Sequence, residues 1–335
     1  MLPIDKPVRE IAVAGKLPDE LLRATEPFVV RGFAGHWPMV DAAKTSVDAA
    51  DAYLRRFYRD ATVGVMLGMP EIRGRFFYND DLTGFNYHSI RGRLDAVLDE
   101  MKGYRNNPQP AAIYVGSTTI DTALPGFRAF NDVDLGPRDA LASIWIGNQT
   151  RIAAHYDVPD NLAVVAAGKR RFTLFPPDQL ANLYVGPLDF NPAGQSISLV
   201  DFGAPDYDRF PRFREALGHA QVTELEAGDA IFIPSMWWHH IEALATFNVL
   251  VNYWWRQSPD YMDTPTGALM LALLTMRELP APQRAAWQEI FRHYIFEPGE
   301  ASEAHLPAHA RHAQAPLDET RARHLRATIL KRINR

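Results

Sequence analysis

The chain has 335 residues, 47% of them hydrophobic, so it can bury a sizeable core and is neither disordered nor a stapled mini-protein. Its 40 acidic residues against 35 basic ones leave a net charge of −5, a poor match for nucleic acid or an anionic membrane. Cysteine is absent, which excludes disulfides, thiolate metal sites, iron–sulfur clusters and a thiol nucleophile.

Any metal must therefore sit on the 11 histidines and on carboxylates. A chain without cysteine fits a reducing cytoplasm. The opening residues MLPIDKPVRE carry no apolar run, so a signal peptide is not expected. The longest apolar run, Ala268–Leu274, is too short to span a bilayer. A cytoplasmic protein without a membrane segment is the expectation.

Residues 1–110 mix short strands and helices. Pro18–Glu26 and Ser46–Tyr58 read as helices, the second with Val47, Ala50, Leu54 and Phe57 at helical spacing. Pro27–Gly32 and Thr62–Leu67 read as strands, and Leu94–Lys102 as an amphipathic helix. Residues 111–258 change character, with short β-like runs separated by turn residues. These are Ala112–Gly116, Ser143–Ile146, Leu162–Ala166, Arg170–Phe175, Ser198–Val200, Ala220–Leu225, Asp229–Ile233 and Phe247–Trp254. Many short strands punctuated by Gly, Pro and Asp predict a sandwich or jelly roll. Residues 259–335 return to helical spacing, over Ala268–Glu278, Pro282–Phe296 and Leu317–Arg335. The last carries Leu325, Ile329 and Ile333 at steps of four among Arg321, Arg323, Arg326, Lys331, Arg332 and Arg335, which reads as a solvated basic face. Apolar helices after a complete β core suggest a homodimerisation element.

Within the β zone, Ile152–Asn161 contains His155-Tyr156-Asp157. On a strand, residues i and i+2 share a face, so His155 and Asp157 can aim one nitrogen and one oxygen at a common point. Alone, such a pair is weak evidence. A third partner would come from Trp237-Trp238-His239-His240, just after the apolar strand Asp229–Ile233. Two histidines and one carboxylate, with coordination positions left open, form the facial triad of non-haem Fe(II) oxygenases. Strand alternation cannot choose between His239 and His240, which point opposite ways.

Arg170–Phe175 adds an independent clue. Arg170, Phe172 and Leu174 share one face, so a single guanidinium lies among core side chains. A buried charge needs a partner, and Arg suits a carboxylate. The partner is either an internal Asp or Glu, or a dicarboxylate ligand such as 2-oxoglutarate. Asn248, Leu250, Asn252 and Trp254 likewise share a face, and the amides are either structural or line a polar pocket.

Together these stretches resemble the cupin-like JmjC family, and its asparaginyl hydroxylases in particular. The matching segments are GNQTRIAAHYDVPDN (147–161), LFPPDQLANLY (174–184), VDFGAPDYDRFPRF (200–213), GDAIFIPSMWWHHIEAL (228–244) and NYWW (252–255), with FFYNDDLTGFN (76–86) a looser match. The resemblance implies a mainly β protein with helical extensions: a double-stranded β-helix (jelly roll) at residues 111–258, an N-terminal α/β extension at 1–110, and a C-terminal helical region at 259–335. It implies Fe(II) on His155, Asp157 and His239. It implies 2-oxoglutarate as cosubstrate with O₂, held by Tyr114, Asn161, Arg170 and Asn252 with Trp254 nearby. Gln195–Ser198 would lie where a peptide substrate runs.

The sequence departs from the family pattern at two points. The family has Lys where this chain has Arg170, and Thr where this chain has Ile152. Thr150 would stand in for the missing hydroxyl if its strand carries a bulge. The expected reaction consumes O₂ and 2-oxoglutarate, releases succinate and CO₂, and hydroxylates a C–H bond. Its substrate is expected to be a protein, a peptide or a small molecule rather than nucleic acid. Trp237 and Trp238 would pack, with water exclusion as a second role. The rivals are a demethylase using the same chemistry, a non-redox metal-binding cupin (isomerase or sensor), and a non-catalytic scaffold.

Overall fold

The apolar runs of the β zone form strands with both faces covered. In a computed structural model, Asp160–Ala167 (β9) and Asn248–Trp255 (β14) pair side by side at the centre of the larger sheet. All eight residues of β9 are buried, so its apolar sequence does not alternate. The structure describes residues 2–13, 15–192, 194–299 and 303–334; Met1 of the N-terminal reading and Arg335 of the basic tail lie outside them.

The remaining strands are Arg9–Glu10 (β1), Phe28–Val30 (β2), Thr62–Gly68 (β3), Arg75–Phe76 (β4), His88–Arg93 (β5), Ala112–Thr119 (β6), Leu141–Gly147 (β7) and Arg151–His155 (β8). Beyond β9 follow Lys169–Phe175 (β10), Gln221–Glu226 (β11), Ala230–Ile233 (β12) and Trp238–Ala243 (β13). They form a nine-stranded sheet ordered β1-β2-β12-β9-β14-β7-β6-β3-β5 and a five-stranded sheet ordered β11-β10-β13-β8-β4. Nearly every pairing is antiparallel; β1 on β2 and β4 on β8 are parallel. Two such sheets make a jelly roll, so the mainly β reading holds. Strands from residues 1–110 extend the large sheet directly.

One apolar cluster joins the facing sheets, with Ala163, Val165, Ile231 and Leu250 from the larger and Phe172, Leu174 and Leu225 from the smaller. The larger sheet's other side is covered by Pro38–Thr45 (α1), Val47–Arg55 (α2) and Leu94–Tyr104 (α3), which bury Val40, Leu54 and Leu98. Each such side chain taken from water contributes about 1.5–3 kcal/mol. Ser46 starts α2 by accepting the Ala49 N–H at 3.0 Å, which satisfies an otherwise orphaned donor. Short helices Ile120–Ala123 (α4) and Phe213–His219 (α5) complete the unit.

Several sequence expectations shift. Pro18–Glu26 is not an α-helix; only a 3₁₀ turn forms at Leu21–Arg23, and Ala24 is already extended. Pro27 restricts Glu26 to extended backbone, so the chain must leave helical geometry before β2. Ser198–Val200 makes only one bridge, Ser198 to Val185. Pro38–Thr45, begun by a proline suited to a first helical turn, was not read from the sequence.

The backbone divides into two compact units, Met1–Trp255 and Arg256–Arg335. The second contains Pro265–Thr275 (α6), Ala281–Phe291 (α7), which runs on into a wide turn at Arg292–Phe296, and Glu319–Ile333 (α8). Asp318 caps α8 by accepting the Arg321 N–H. No residue of α6 or α7 is buried, and Leu274 and Phe296 are about three-quarters exposed at 76% and 74%. Among the described residues, no helix is long and apolar enough to cross a membrane.

Candidate metal centre and active site

β8 and β13 pair in the smaller sheet with His155 directly opposite His239. This register decides between the two adjacent histidines. The His239 ring faces the His155 ring at 4.3 Å between centroids. His240 points to the far side, against Phe202 at 4.5 Å. Asp157 is not on the strand with His155, as the sequence suggested; it lies in the loop joining β8 to β9. That loop is pinned to the turn before β13. The Asp157 carbonyl accepts from Met236 N–H at 2.9 Å, the Val158 carbonyl accepts from Ser235 Oγ at 2.6 Å, and Asp160 accepts from Ser235 N–H at 2.9 Å.

The ligand atoms of His155, Asp157 and His239 all lie within 4.8 Å of one another. Both imidazoles are oriented alike. His155 Nδ1 meets its own strand's Ala153 carbonyl at 2.9 Å, and His239 Nδ1 meets the Trp237 carbonyl at 3.0 Å. A carbonyl only accepts, so Nδ1 carries the hydrogen and Nε2 keeps its lone pair free for a metal. Burial, with His155 close by, pushes the His239 imidazole down to about 4, so it is neutral at pH 7. Three N/O ligands without a thiolate fit Fe(II) that keeps positions open.

These residues line a cavity of roughly 510 Å³, within the usual range for small-molecule sites. Tyr114, Asn161, Arg170, Asn252 and Trp254, the residues expected around a cosubstrate, all line it too. Arg170 is 1% exposed, and its Nε and Nη2 have no hydrogen-bond partner. Among the described residues no carboxylate pairs with it, so the internal-acid alternative is excluded there; only the Tyr114 hydroxyl is within reach. Burial raises the Tyr114 phenol and lowers the Arg170 guanidinium from their ordinary values. An arginine stays protonated even so, which leaves a buried cation waiting for an anion. A carboxylate-bearing cosubstrate fits these orphaned donors.

The amides divide by role. Asn248 is structural: its Oδ1 accepts Lys169 N–H at 3.2 Å, and its Nδ2 donates to the Ala245 carbonyl at 2.6 Å. Asn252 faces the cavity and donates to Asn161 Oδ1 at 3.2 Å. Asn161 Nδ2 and Trp254 Nε1 both donate to Asp157 Oδ2, at 3.4 and 3.1 Å.

β8 carries a bulge opposite β13, because the four residues Ile152–His155 stand against the three residues His239–Ile241. The bulge does not bring Thr150 into the site, as the sequence reading allowed. Thr150 is buried outside the cavity, and Ile152 faces into it. Trp237 and Trp238 also lie outside the cavity. Trp237 donates to the Thr25 carbonyl at 2.9 Å and Trp238 packs on Tyr156, so both are packing residues. Gln195 and Ile197 do line the cavity. Sequence reasoning missed Trp145 on β7, which stacks on Tyr114 at 5.8 Å and meets Trp254 edge-on at 5.6 Å. It also missed Met66, Ser89 and Ile90, which come from β3 and β5. An indole within the otherwise small and aliphatic run Ser143–Ile146 was the available signal for Trp145.

The family model described as a cupin-like domain matches residues 14–261. The chain belongs to the cupin-like family. Curated relatives of this cupin-like protein agree with the JmjC-type resemblance of its motifs. Lysine-specific demethylase JMJ31 of Arabidopsis thaliana is 32% identical over 133 residues, which is 37% of this chain and 24% of that protein. tRNA wybutosine-synthesizing protein 5 of Mus musculus is 35% identical over 145 residues, covering 39% of this chain and 43% of its own length. HSPB1-associated protein 1 of Homo sapiens is 33% identical over 150 residues, covering 43% and 30%. The chain thus spans less than half the length of each of these relatives.

Proposed function

We propose that this cupin-like protein is an Fe(II)- and 2-oxoglutarate-dependent oxygenase that hydroxylates a C–H bond of a protein or peptide side chain. One observation carries the reading. A single cavity holds both an open two-histidine, one-carboxylate cluster and a buried guanidinium that lacks an anion. A metal-binding cupin without redox chemistry would have no use for Arg170.

His155, Asp157 and His239 would hold Fe(II), and Arg170 with Tyr114 would hold the far carboxylate of 2-oxoglutarate. When bound, iron, 2-oxoglutarate and O₂ supply C–H hydroxylation with release of succinate and CO₂. The chain's own residues bind, orient and exclude water. The Nε2 atoms of His155 and His239 face the metal position, and the Trp254 indole N–H holds one Asp157 oxygen. Ile152, Ile241 and Leu250 give the cavity apolar walls, which strengthens each charge interaction inside.

A demethylase outcome uses the same chemistry with the hydroxyl placed on an N-methyl carbon, and the name of the Arabidopsis relative favours including methyl-lysine peptides among test substrates. The net charge of −5 supports a polypeptide over the tRNA implied by another relative's name. The exposed apolar side chains of α6 and α7 support a homodimer built through the C-terminal helices, for which sedimentation should give twice the chain mass. The absence of cysteine supports a cytoplasmic site of action.

The test is succinate release. Protein supplied with Fe(II), 2-oxoglutarate and O₂ should form succinate, and His155→Ala and Asp157→Ala should abolish it while keeping the wild-type circular dichroism. Iron-loaded protein that neither binds nor consumes 2-oxoglutarate overturns the proposal. Product mass after incubation with peptides and with tRNA decides the substrate class, and oxygen gained by tRNA alone would reject the polypeptide assignment.

A further inference from the structure

The Asp157 carboxylate is reached by a directed chain of hydrogen bonds that begins outside the expected site residues. Trp145 Nε1 donates to Asn252 Oδ1 at 2.6 Å. Asn252 Nδ2 donates to Asn161 Oδ1 at 3.2 Å, and Asn161 Nδ2 donates to Asp157 Oδ2 at 3.4 Å. Strand register brings these groups together. Asn161 on β9 pairs with Trp254 on β14, while Trp145 on β7 pairs with Leu250, two residues from Asn252.

The two ends of the chain fix its direction. An indole N–H can only donate, and an ionised carboxylate can only accept. The Asn252 atom facing Trp145 must therefore be its oxygen, which turns its amide nitrogen to Asn161. The same step turns the Asn161 nitrogen to Asp157. Flipping the amides would set the Asn252 N–H against the indole N–H at one end and the Asn161 carbonyl oxygen against the carboxylate oxygen at the other. Trp254 donates to the same Oδ2 from the side, at 3.1 Å. Two N–H groups thus hold Oδ2, the carboxylate oxygen that lies 3.6 Å from His239 Nε2.

We infer that Trp145 is a positioning residue for the metal centre, acting through Asn252 and Asn161 to hold the Asp157 carboxylate in its ligating orientation. The inference rests on the reading of His155, Asp157 and His239 as the metal site. Its cavity position extends the role: the same indole stacks on Tyr114, beside Arg170, so it bridges the anion-binding end and the metal end. Among the described residues the Trp145 indole N–H donates to Asn252 alone.

The experiment is a double-mutant cycle read as Co(II) affinity of the metal-free protein, by calorimetry and by the visible Co(II) spectrum. Trp145→Phe keeps an aromatic ring for Tyr114 and removes the donor. It should weaken Co(II) binding about tenfold or more, the usual effect of losing an outer-sphere partner. In an Asn252→Ala background the same substitution should have no further effect, because the chain is already broken. Equal weakening in both backgrounds would mean that Trp145 acts by packing, and an unchanged affinity in Trp145→Phe alone would mean that it does not act on the centre; either overturns the inference. If Asn252→Ala fails to fold, judged by its melting curve, Asn161→Ala serves as the second background with the same two readings. Wild-type protein that binds no Co(II) would instead overturn the metal-site reading itself.

Discussion

Arg170 lies in a position where removal of a functional residue should strengthen the fold. Its guanidinium is 1% exposed, has no carboxylate beside it among the described residues, and leaves Nε and Nη2 without partners. Each buried donor left unmade costs about 1–3 kcal/mol. Methionine has a similar length and no polar hydrogen, so Arg170→Met removes the stranded charge and keeps most of the packing against the core. Replacing even a paired set of buried charges with apolar side chains of similar volume gains about 1–4 kcal/mol in favourable cases, and this cation has no pair to lose among the described residues. The Tyr114 hydroxyl loses its partner in that variant, which returns about 1 kcal/mol. Arg170→Met with Tyr114→Phe avoids this loss and should be the more stable of the two.

The assay is urea unfolding of the metal-free, ligand-free protein, followed by thermal melting with Fe(II) replaced by a redox-inert divalent metal. Wild type should melt higher on addition of 2-oxoglutarate, by the equivalent of about 2.7 kcal/mol at a hundredfold excess over its Kd. Arg170→Met should start with the higher urea midpoint and show no such rise. A variant that is less stable without ligand, or one that still gains the full rise, would refute the argument that this cation is held in reserve for a carboxylate.

Other consequences follow from the same structure. Gly168 has φ +79°, and a Cβ there would lie 2.4 Å from Asn248 Oδ1 and 2.5 Å from the Phe247 carbonyl. Gly168→Ala should therefore cost about 1–3 kcal/mol and lower the urea midpoint; an unchanged midpoint would contradict it. Burial, with Arg151 nearby, pushes the His240 imidazole down to about 3. The unfolded chain then takes up a proton near pH 6.5 that the folded one refuses. His240 thus contributes stability that is present above pH 6.5 and lost at about 1.4 kcal/mol per pH unit as the pH falls toward that lowered value. His240→Leu, which keeps an apolar contact for Phe202, should flatten the fall in urea midpoint between pH 6.5 and 4.5. An identical slope in wild type and variant would remove His240 from the account.

Much of the β zone was legible because its chemistry is local. Leu162–Ala166 and Phe247–Trp254 are apolar runs bounded by turn residues, and both became central strands. The His-x-Asp pair and the twin histidines were visible as ligand types. The single charge on the apolar face of Arg170–Phe175 was visible from a period of two. Pro18–Glu26 was misread because helical spacing over nine residues says nothing about the strand that must follow. Ser198–Val200 was misread because β-forming residues without a neighbour make only a bridge.

Alternation along a strand determines which side chains share a face, but not what lies across from them. Alternation left His239 and His240 open; the family resemblance pointed to His239, and the tertiary structure gave the physical reason, the register of His239 with His155 on β8. Only that structure showed that the bulge in β8 turns Ile152 rather than Thr150 toward the cavity. Trp145 and Asn252 stand 107 residues apart, so no spacing rule could have joined them. The sequence by itself determined the ligand types, the all-N/O character of the site and the buried cation. Which of those groups meet, and which donor holds which oxygen, was decided by strand pairing, because hydrogen bonds act over about 3 Å and only the folded register brings distant residues that close.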